Sequence, residues 1–209
     1  MVENFLPDPI LEKKNNASKT FICTQCGECC HIREKKNITD KDEQDYFNYM
    51  HKHYGIIYLA PLSEITINIS PEEKHILEQE AKNKNIDLSI KPKRAIALKS
   101  NELLILDYFI DHDICPFFDR KNKLCTVYDK RPLICRSYPL LSSKTLGKCK
   151  FKKKNPKMYS YEKIYAKKLD SIVNKQKEII KTLDINYELV DLNKIKNLKE
   201  LHILKKVSS

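Results

Sequence analysis

Four cysteines crowd into the eight positions from Cys23 to Cys30, in the stretch FICTQCGECC, and the last two are adjacent. Four more, Cys115, Cys125, Cys135 and Cys149, arrive singly at longer intervals. In a reducing compartment such residues stay mostly as thiols, so the even count points to thiolate ligation of metal before it points to disulfides. A Cys-x2-Cys pair is the usual chelate for a tetrahedral ion, because a tight turn aims both sulfurs at a point about 2.3 Å away. On a helix, Cys23, Cys26 and Cys30 instead share one face, with Cys29 beside Cys26. Three sulfurs converge readily either way. The fourth is harder, since neighbouring side chains point to opposite sides of an extended chain and lie about 100° apart on a helix. Cys29 and Cys30 are therefore expected to serve different metal ions, or one of them to bridge. One tetrahedral zinc takes only four thiolates; a larger set suits two zinc sites, a polynuclear thiolate site or an iron–sulfur cluster with further ligands. Metal is also the stronger staple, at on the order of 10 kcal/mol for structural zinc against about 2–4 kcal/mol for a disulfide.

A chain of 209 residues, 41% of them hydrophobic, is long enough to bury a core without depending on cross-links. Its net charge of +11 is carried mostly by lysines spread along the chain, a balance that permits acidic partners without naming one. The first residues, MVENFLPDPILEKKNN, hold acids and prolines where a secretory signal needs a basic start and an apolar run, so the expected location is cytoplasmic. The most apolar region, LLILDYFI, is interrupted by Asp107 and is far too short to span a bilayer, and no membrane partner is expected.

Start and stop signals place a helix after Thr39, with acids in its first turn and Gly55 just past its end. EITINIS alternates Ile65, Ile67 and Ile69 at period two, as a short half-buried strand does. Ser70, Pro71 and Glu73 then form a capping box with proline at the first helical position. IDLSI, RAIALK and ELLILDYFI read as short strands separated by Pro92 and by the Ser100–Asn101 turn, enough for a small antiparallel sheet. From Asp111 to Phe151 prolines, cysteines and basic residues show little periodicity, which implies irregular backbone organised by metal. Tyr161, Ile164, Tyr165, Leu169, Ile172, Val173, Ile179, Ile180 and Leu183 follow at helical spacing and predict an amphipathic helix packed on the core. NYELVDL and ELHILKK predict one or two edge strands.

The segment CPFFDRKNKLCTVYDKRPLICRSYPLL completes a pattern with the first cluster. Cys23, Cys26, Gly27, Cys29 and Cys30, together with Cys115, Pro116, Phe117, Cys125, Tyr128, Arg131, Pro132, Cys135, Arg136, Tyr138 and Pro139, resemble the motifs of the CxxCxxCC family of zinc- or iron-chelating proteins, also called the YkgJ type. The resemblance spans roughly residues 21 to 140 and implies a chelating domain with ligands from both halves. It implies all eight cysteines as the metal set, with zinc or iron, a 4Fe-4S cluster included, as the cofactor. A member of the broader group, flagellin lysine N-methylase, is associated with an iron–sulfur cluster and methyl transfer from S-adenosylmethionine, which adds an enzymatic alternative.

Several thiolates around a divalent ion leave net negative charge, which Arg131 and Arg136 are placed to offset, with Tyr138 shielding the site as a further cofactor-binding residue. His31 and His112 lie beside cysteines and are reserve imidazole ligands, whereas His51 and His53 receive no role. Asp111 and Asp113 flank the second cysteine group and read first as solvated acids. The densest basic run, Lys148 to Lys157, lacks interleaved aromatics, so a zinc-folded nucleic-acid-binding module is the weaker alternative. With only Gly27, Gly55 and Gly147 there is little material for a phosphate-binding loop, and no nucleophilic triad is evident. The expected protein is α+β: a small irregular metal-organised domain with a few helices and a small antiparallel sheet. Its expected division is a loose arm over 1–20, a cysteine-rich chelating domain over 21–151, and a C-terminal helix with edge strands over 152–209.

Overall fold

A computed structural model describes residues 26–33, 38–141, 144–145, 160–188, 193 and 195–203. The chain divides into two units, one comprising Met1–Cys29 and Phe117–Leu169, the other Cys30–Pro116 and Asp170–Ser209.

The second unit is built on a hairpin of β3 (Ile90–Ala97) and β4 (Glu102–Ile110). Its turn closes with the Leu98 N–H donating to Glu102 O at 2.9 Å and the Asn101 N–H to Leu98 O at 3.0 Å. Asn101 takes a left-handed φ of 60°, which asparagine tolerates better than most residues. All of β4 beyond Glu102 is buried, Asp107 included, as suits a short run rich in apolar residues. β1 (Ile56–Tyr58) pairs antiparallel with the far edge of β3, and β2 (Asn68–Ile69) pairs antiparallel with the end of β4. β9 (Asn197–Glu200) lies parallel to the start of β4, Glu102 facing Asn197, so the sheet is antiparallel except along this one edge.

Four short strand expectations need correction. Only Asn68–Ile69 of EITINIS joins the sheet, although Ile65 and Ile69 are buried as the alternation requires. IDLSI is not a strand before Ile90, because the Ile86 N–H turns back to Ala81 O at the end of a helix. Pro92 does not separate two strands; it lies within β3 opposite Tyr108, where the register slips on either side of Arg94. A bulge is one of the few places where a strand accepts a residue with no N–H. The terminal strand is NLKE, which takes only Glu200 of ELHILKK, and neither the next described residues of that segment nor those of NYELVDL form a strand, the rest of both lying outside the described residues.

The helices follow their caps. α1 (Asp40–Tyr54) starts at Thr39, whose hydroxyl accepts from the Asp42 N–H, and ends at Gly55 in the left-handed region. A Cβ on Gly55 would come within 2.5 Å of Ile185 Cγ2, so the close approach as well as the φ of 67° demands glycine. α2 (Pro71–Lys84) carries the complete capping box, with Ser70 and Glu73 each bonding the other's backbone N–H. α4 (Ser160–Lys181) matches its amphipathic pattern, but Ile164 and Val173 stand exposed at 60% and 46%. Among its described side chains Ala166 and Gln176 are the buried ones. Tyr161 lies outside the described side chains.

Gln176 is there for a reason. Arg94 binds both carboxylate oxygens of Asp107 in the middle of the sheet, and burial, which works against the guanidinium charge, is outweighed by that carboxylate. Gln176 closes the arrangement, accepting from Arg94 and donating to Leu106 O, both at 3.4 Å. A buried pair needs such additional bonds to offset its desolvation. Among the described residues no helix is long and apolar enough to cross a membrane.

Candidate metal centre

In the first unit, Cys26 and Cys29 stand on either side of Gly27 and Glu28, where the backbone tightens into a 3-10 turn over Glu28–Cys30. Gly27 has φ of 80°, and a Cβ there would lie 2.1 Å from Phe118 Cζ and 2.7 Å from its Cε1. The turn that spaces the two cysteines therefore rests directly on an aromatic ring, and only glycine allows it. Both cysteines are exposed.

Phe118 belongs to β5 (Phe118–Asp119), which pairs with β6 (Leu124–Cys125), and its register partner is Cys125. The hairpin is fixed at both ends. At its tip the Asp119 carboxylate accepts from the Lys121 N–H at 2.9 Å, the Asn122 N–H at 3.1 Å and the Asn122 amide at 2.7 Å. These bonds, Asn122's side chain foremost, hold the Asp119 carboxyl below its ordinary range. At its base Phe117, almost wholly buried, accepts at its carbonyl from both the N–H and the hydroxyl of Thr126.

Cys135 sits on α3 (Leu133–Ser137), which is one turn and a half long and too short to be stable by itself. Its neighbour Arg136 is 4% exposed and pins the helix to the preceding chain. Arg136 Nε donates to Arg131 O at 2.8 Å, and its terminal nitrogens reach Asp129 O and the Tyr165 hydroxyl. Arg131 lies 3.7 Å over the Tyr128 ring and donates to Tyr128 O. Tyr138 caps α3 in extended conformation ahead of Pro139. The two arginines and the tyrosine singled out from the sequence thus build the segment that carries Cys135. Their bonds to backbone carbonyls were not legible from the motif.

Cys30 and Cys115 belong to the other unit. The Cys115 N–H donates to Cys30 O at 2.8 Å and the Ile32 N–H to Asp113 O at 3.0 Å, on either side of an antiparallel bridge between His31 and Ile114. Arg33 locks this ribbon, with Nη2 on Asp111 and Nε on Asp113, each at 2.7 Å. Lys91 adds a contact to Asp111 at 2.7 Å, and the Lys91 and Arg33 bonds hold the Asp111 carboxyl low. Both acids are therefore engaged in ion pairs. His112 accepts from the Ser89 N–H at its Nε2, at 2.9 Å. His31 is exposed at the bridge.

The six described cysteines form no disulfide. Among the described residues no three His, Cys, Asp or Glu side chains come together as a ready cage for an ion. Cys23 and Cys149 lie outside the described residues, as does the basic run from Lys148 to Lys157. The donor chemistry fits zinc or iron: one unit holds Cys26, Cys29, Cys125 and Cys135, all soft thiol ligands, and the Gly27–Phe118 contact links the turn of the first two to the hairpin of the third.

The model of the CxxCxxCC family, described as a zinc- or iron-chelating domain, matches residues 22–184. No curated protein and no solved structure matches the chain.

Proposed function

The chain belongs to the CxxCxxCC family, and from that premise we propose that it chelates zinc or iron through its cysteines. Cys26, Cys29, Cys125 and Cys135 are the core of the thiolate set. Cys23 extends it by the Cys-x2-Cys spacing, and Cys30, Cys115 and Cys149 complete the set of eight. A bound ion supplies tetrahedral cross-linking of an irregular segment, with redox activity in addition where the metal is iron. Arg131 and Arg136 bring two positive charges to the segment around Cys135, offsetting thiolate charge, and Tyr138 shields it.

The observation that carries this reading is the seating of Gly27 on Phe118, with Phe118 in register with Cys125. It joins two motif segments far apart in sequence, and it does so on the turn that spaces two cysteines.

The test is anaerobic purification from a metal-replete host, followed by metal and acid-labile sulfide analysis and an absorption spectrum, repeated on Cys26→Ser and Cys125→Ser. Near-stoichiometric metal, lost in both variants, is the expected result. A colourless protein identifies zinc, visible absorption without labile sulfide identifies iron thiolate, and visible absorption with sulfide identifies a cluster. A folded, metal-free wild-type protein would overturn the proposal.

A further inference from the structure

The β5–β6 hairpin ends in Arg120, Lys121, Asn122 and Lys123, all exposed. Its one carboxylate, Asp119, turns back on the loop and is occupied by the Lys121 N–H, the Asn122 N–H and the Asn122 amide. The cations beside it have no acid of their own: among the described residues none of Arg120, Lys121 and Lys123 forms an ion pair. In the other unit Arg33, Lys74, Lys91, Lys99 and Lys199 each lie within 3.1 Å of a carboxylate oxygen. The tip thus gathers positive charge that the fold does not use. It is also held in one shape. Lys123 takes a left-handed φ of 55°, the Phe117 carbonyl binds Thr126 at the base, and Phe118 rests on Gly27. A loop fixed in this way loses little conformational entropy when it binds.

We infer that the β5–β6 tip is a docking surface for double-stranded DNA, entering the major groove with Arg120, Lys121 and Lys123 on the phosphates. Duplex DNA carries one negative charge per about 1.7 Å of axis, and each phosphate neutralised releases counterions. Hairpin strands lie about 4.8 Å apart, and the B-form major groove, about 12 Å wide, admits a two-stranded ribbon. The major groove of duplex RNA is too deep and narrow for side chains to read. Leu124, 46% exposed, is the one apolar side chain in residues 119–124, too little to hold the tip in a lipid surface. The Asn122 amide nitrogen, a donor suited to base edges, is spent on Asp119, so the contacts go to phosphates and carry no sequence preference. This surface is separate in sequence from the basic run Lys148–Lys157, and it adds a partner to chelation without using a cysteine.

The test uses the full-length protein as isolated and fluorescence anisotropy with a labelled mixed-sequence DNA duplex, from low to physiological salt. The wild type is expected to bind with an affinity that falls steeply as salt rises. Arg120→Gln combined with Lys121→Gln and Lys123→Asn leaves the backbone bonds to Asp119 in place, and metal content and thermal midpoint report on its folding. This variant is expected to lose about tenfold or more in affinity and about 2.7 from the salt slope, the value for three phosphates. Lys121→Glu alone, a single exposed change, is expected to weaken binding in the same direction. Lys163→Gln with Lys167→Gln and Lys177→Gln removes the same charge from exposed positions of α4 and is expected to keep affinity within about twofold. Equal losses in the two triple variants would mean that net charge alone is at work, and would overturn the inference. Unchanged binding by the tip variants, or tighter binding of an RNA duplex, polyglutamate or phosphatidylserine vesicles than of DNA, would overturn it too. Metal-free protein whose duplex binding still depends on the tip would sink chelation and leave this surface standing, whereas metal-loaded protein that binds no duplex would do the reverse.

Discussion

Gly27 lies against the ring of Phe118 so closely that a methyl group on its α-carbon would sit 2.1 Å from Cζ. Gly27→Ala therefore meets two separate obstacles. The left-handed backbone costs about 1–2 kcal/mol for a residue with a Cβ, and the overlap with the ring adds about 1–3 kcal/mol of overpacking. The variant is expected to melt at lower temperature and to retain less metal. Adding Phe118→Ala relieves the overlap but not the backbone term, so the double variant binds metal better than Gly27→Ala only if the contact itself shapes the turn. Thermal unfolding with metal analysis checks both parts.

Asp107→Ala leaves the largely buried Arg94 guanidinium, 20% exposed, without its carboxylate. Breaking a pair of this kind costs about 3–5 kcal/mol. Replacing both partners with apolar residues of similar size, Arg94→Met with Asp107→Leu, is expected to recover most of that loss. Urea unfolding midpoints of the wild type, the single and the double variant make the comparison.

The Glu200 carboxylate predicts how the fold responds to acid. Burial pushes its pKa up, but bonds from Tyr108 at 2.6 Å, Lys74 at 3.1 Å and His75 at 2.9 Å outweigh that and hold it at about 2, against an ordinary 4.5. The folded value lies below the unfolded one, so this group's stabilisation is complete above about 4.5 and is lost as pH falls toward 2. In Glu200→Gln that part of the acid dependence is expected to vanish. Denaturant midpoints taken from neutral pH down through this window would show a shallower fall for the variant; an unchanged slope would exclude the assignment.

Chelator treatment is expected to affect the chain unevenly. The segment Phe117–Ser137 has only two-residue strands, a three-residue 3-10 helix, a five-residue helix and side-chain clamps, whereas β3 and β4 are long and β4 is buried beyond Glu102. Amide hydrogen exchange after metal removal is expected to rise strongly in the first region and little in the second. Uniform loss of protection would mean that the metal supports the whole fold equally.

What could be read beforehand follows from how local each signal is. Thr39, Gly55 and the Ser70–Glu73 box act within one helical turn, and the helices begin and end at them. The β4 run, apolar but for Asp107 within it, is buried from Leu103 to Ile110. β9 escaped because its partner is remote and Leu198, 70% exposed, breaks any alternation. Ile164 and Val173 belong to the helical stripe by spacing but lie past the edge of the covered face, while Gln176 is drawn inside by Arg94. At the candidate site the residue types were legible and their partners were not. That Gly27 needs Phe118, that the Cys115 N–H bonds Cys30 O, and that Arg136 spends its donors on carbonyls are facts of chain crossing, which no short window of sequence records.

The parallel pairing of β9 with Glu102–Ile105 also sets an order of events in the cell. A hairpin such as β3–β4 can close as soon as its second arm leaves the ribosome, but the edge that β9 will occupy must wait while the whole cysteine segment and α4 are synthesised. During that interval the start of β4, the most apolar strand of the chain, shows an uncovered row of backbone donors and acceptors to its surroundings. The nascent chain is thus most vulnerable to mispairing just while its thiol-rich segment is emerging, and a chaperone that shields β4 would raise the yield of metal-loaded protein without touching a single cysteine.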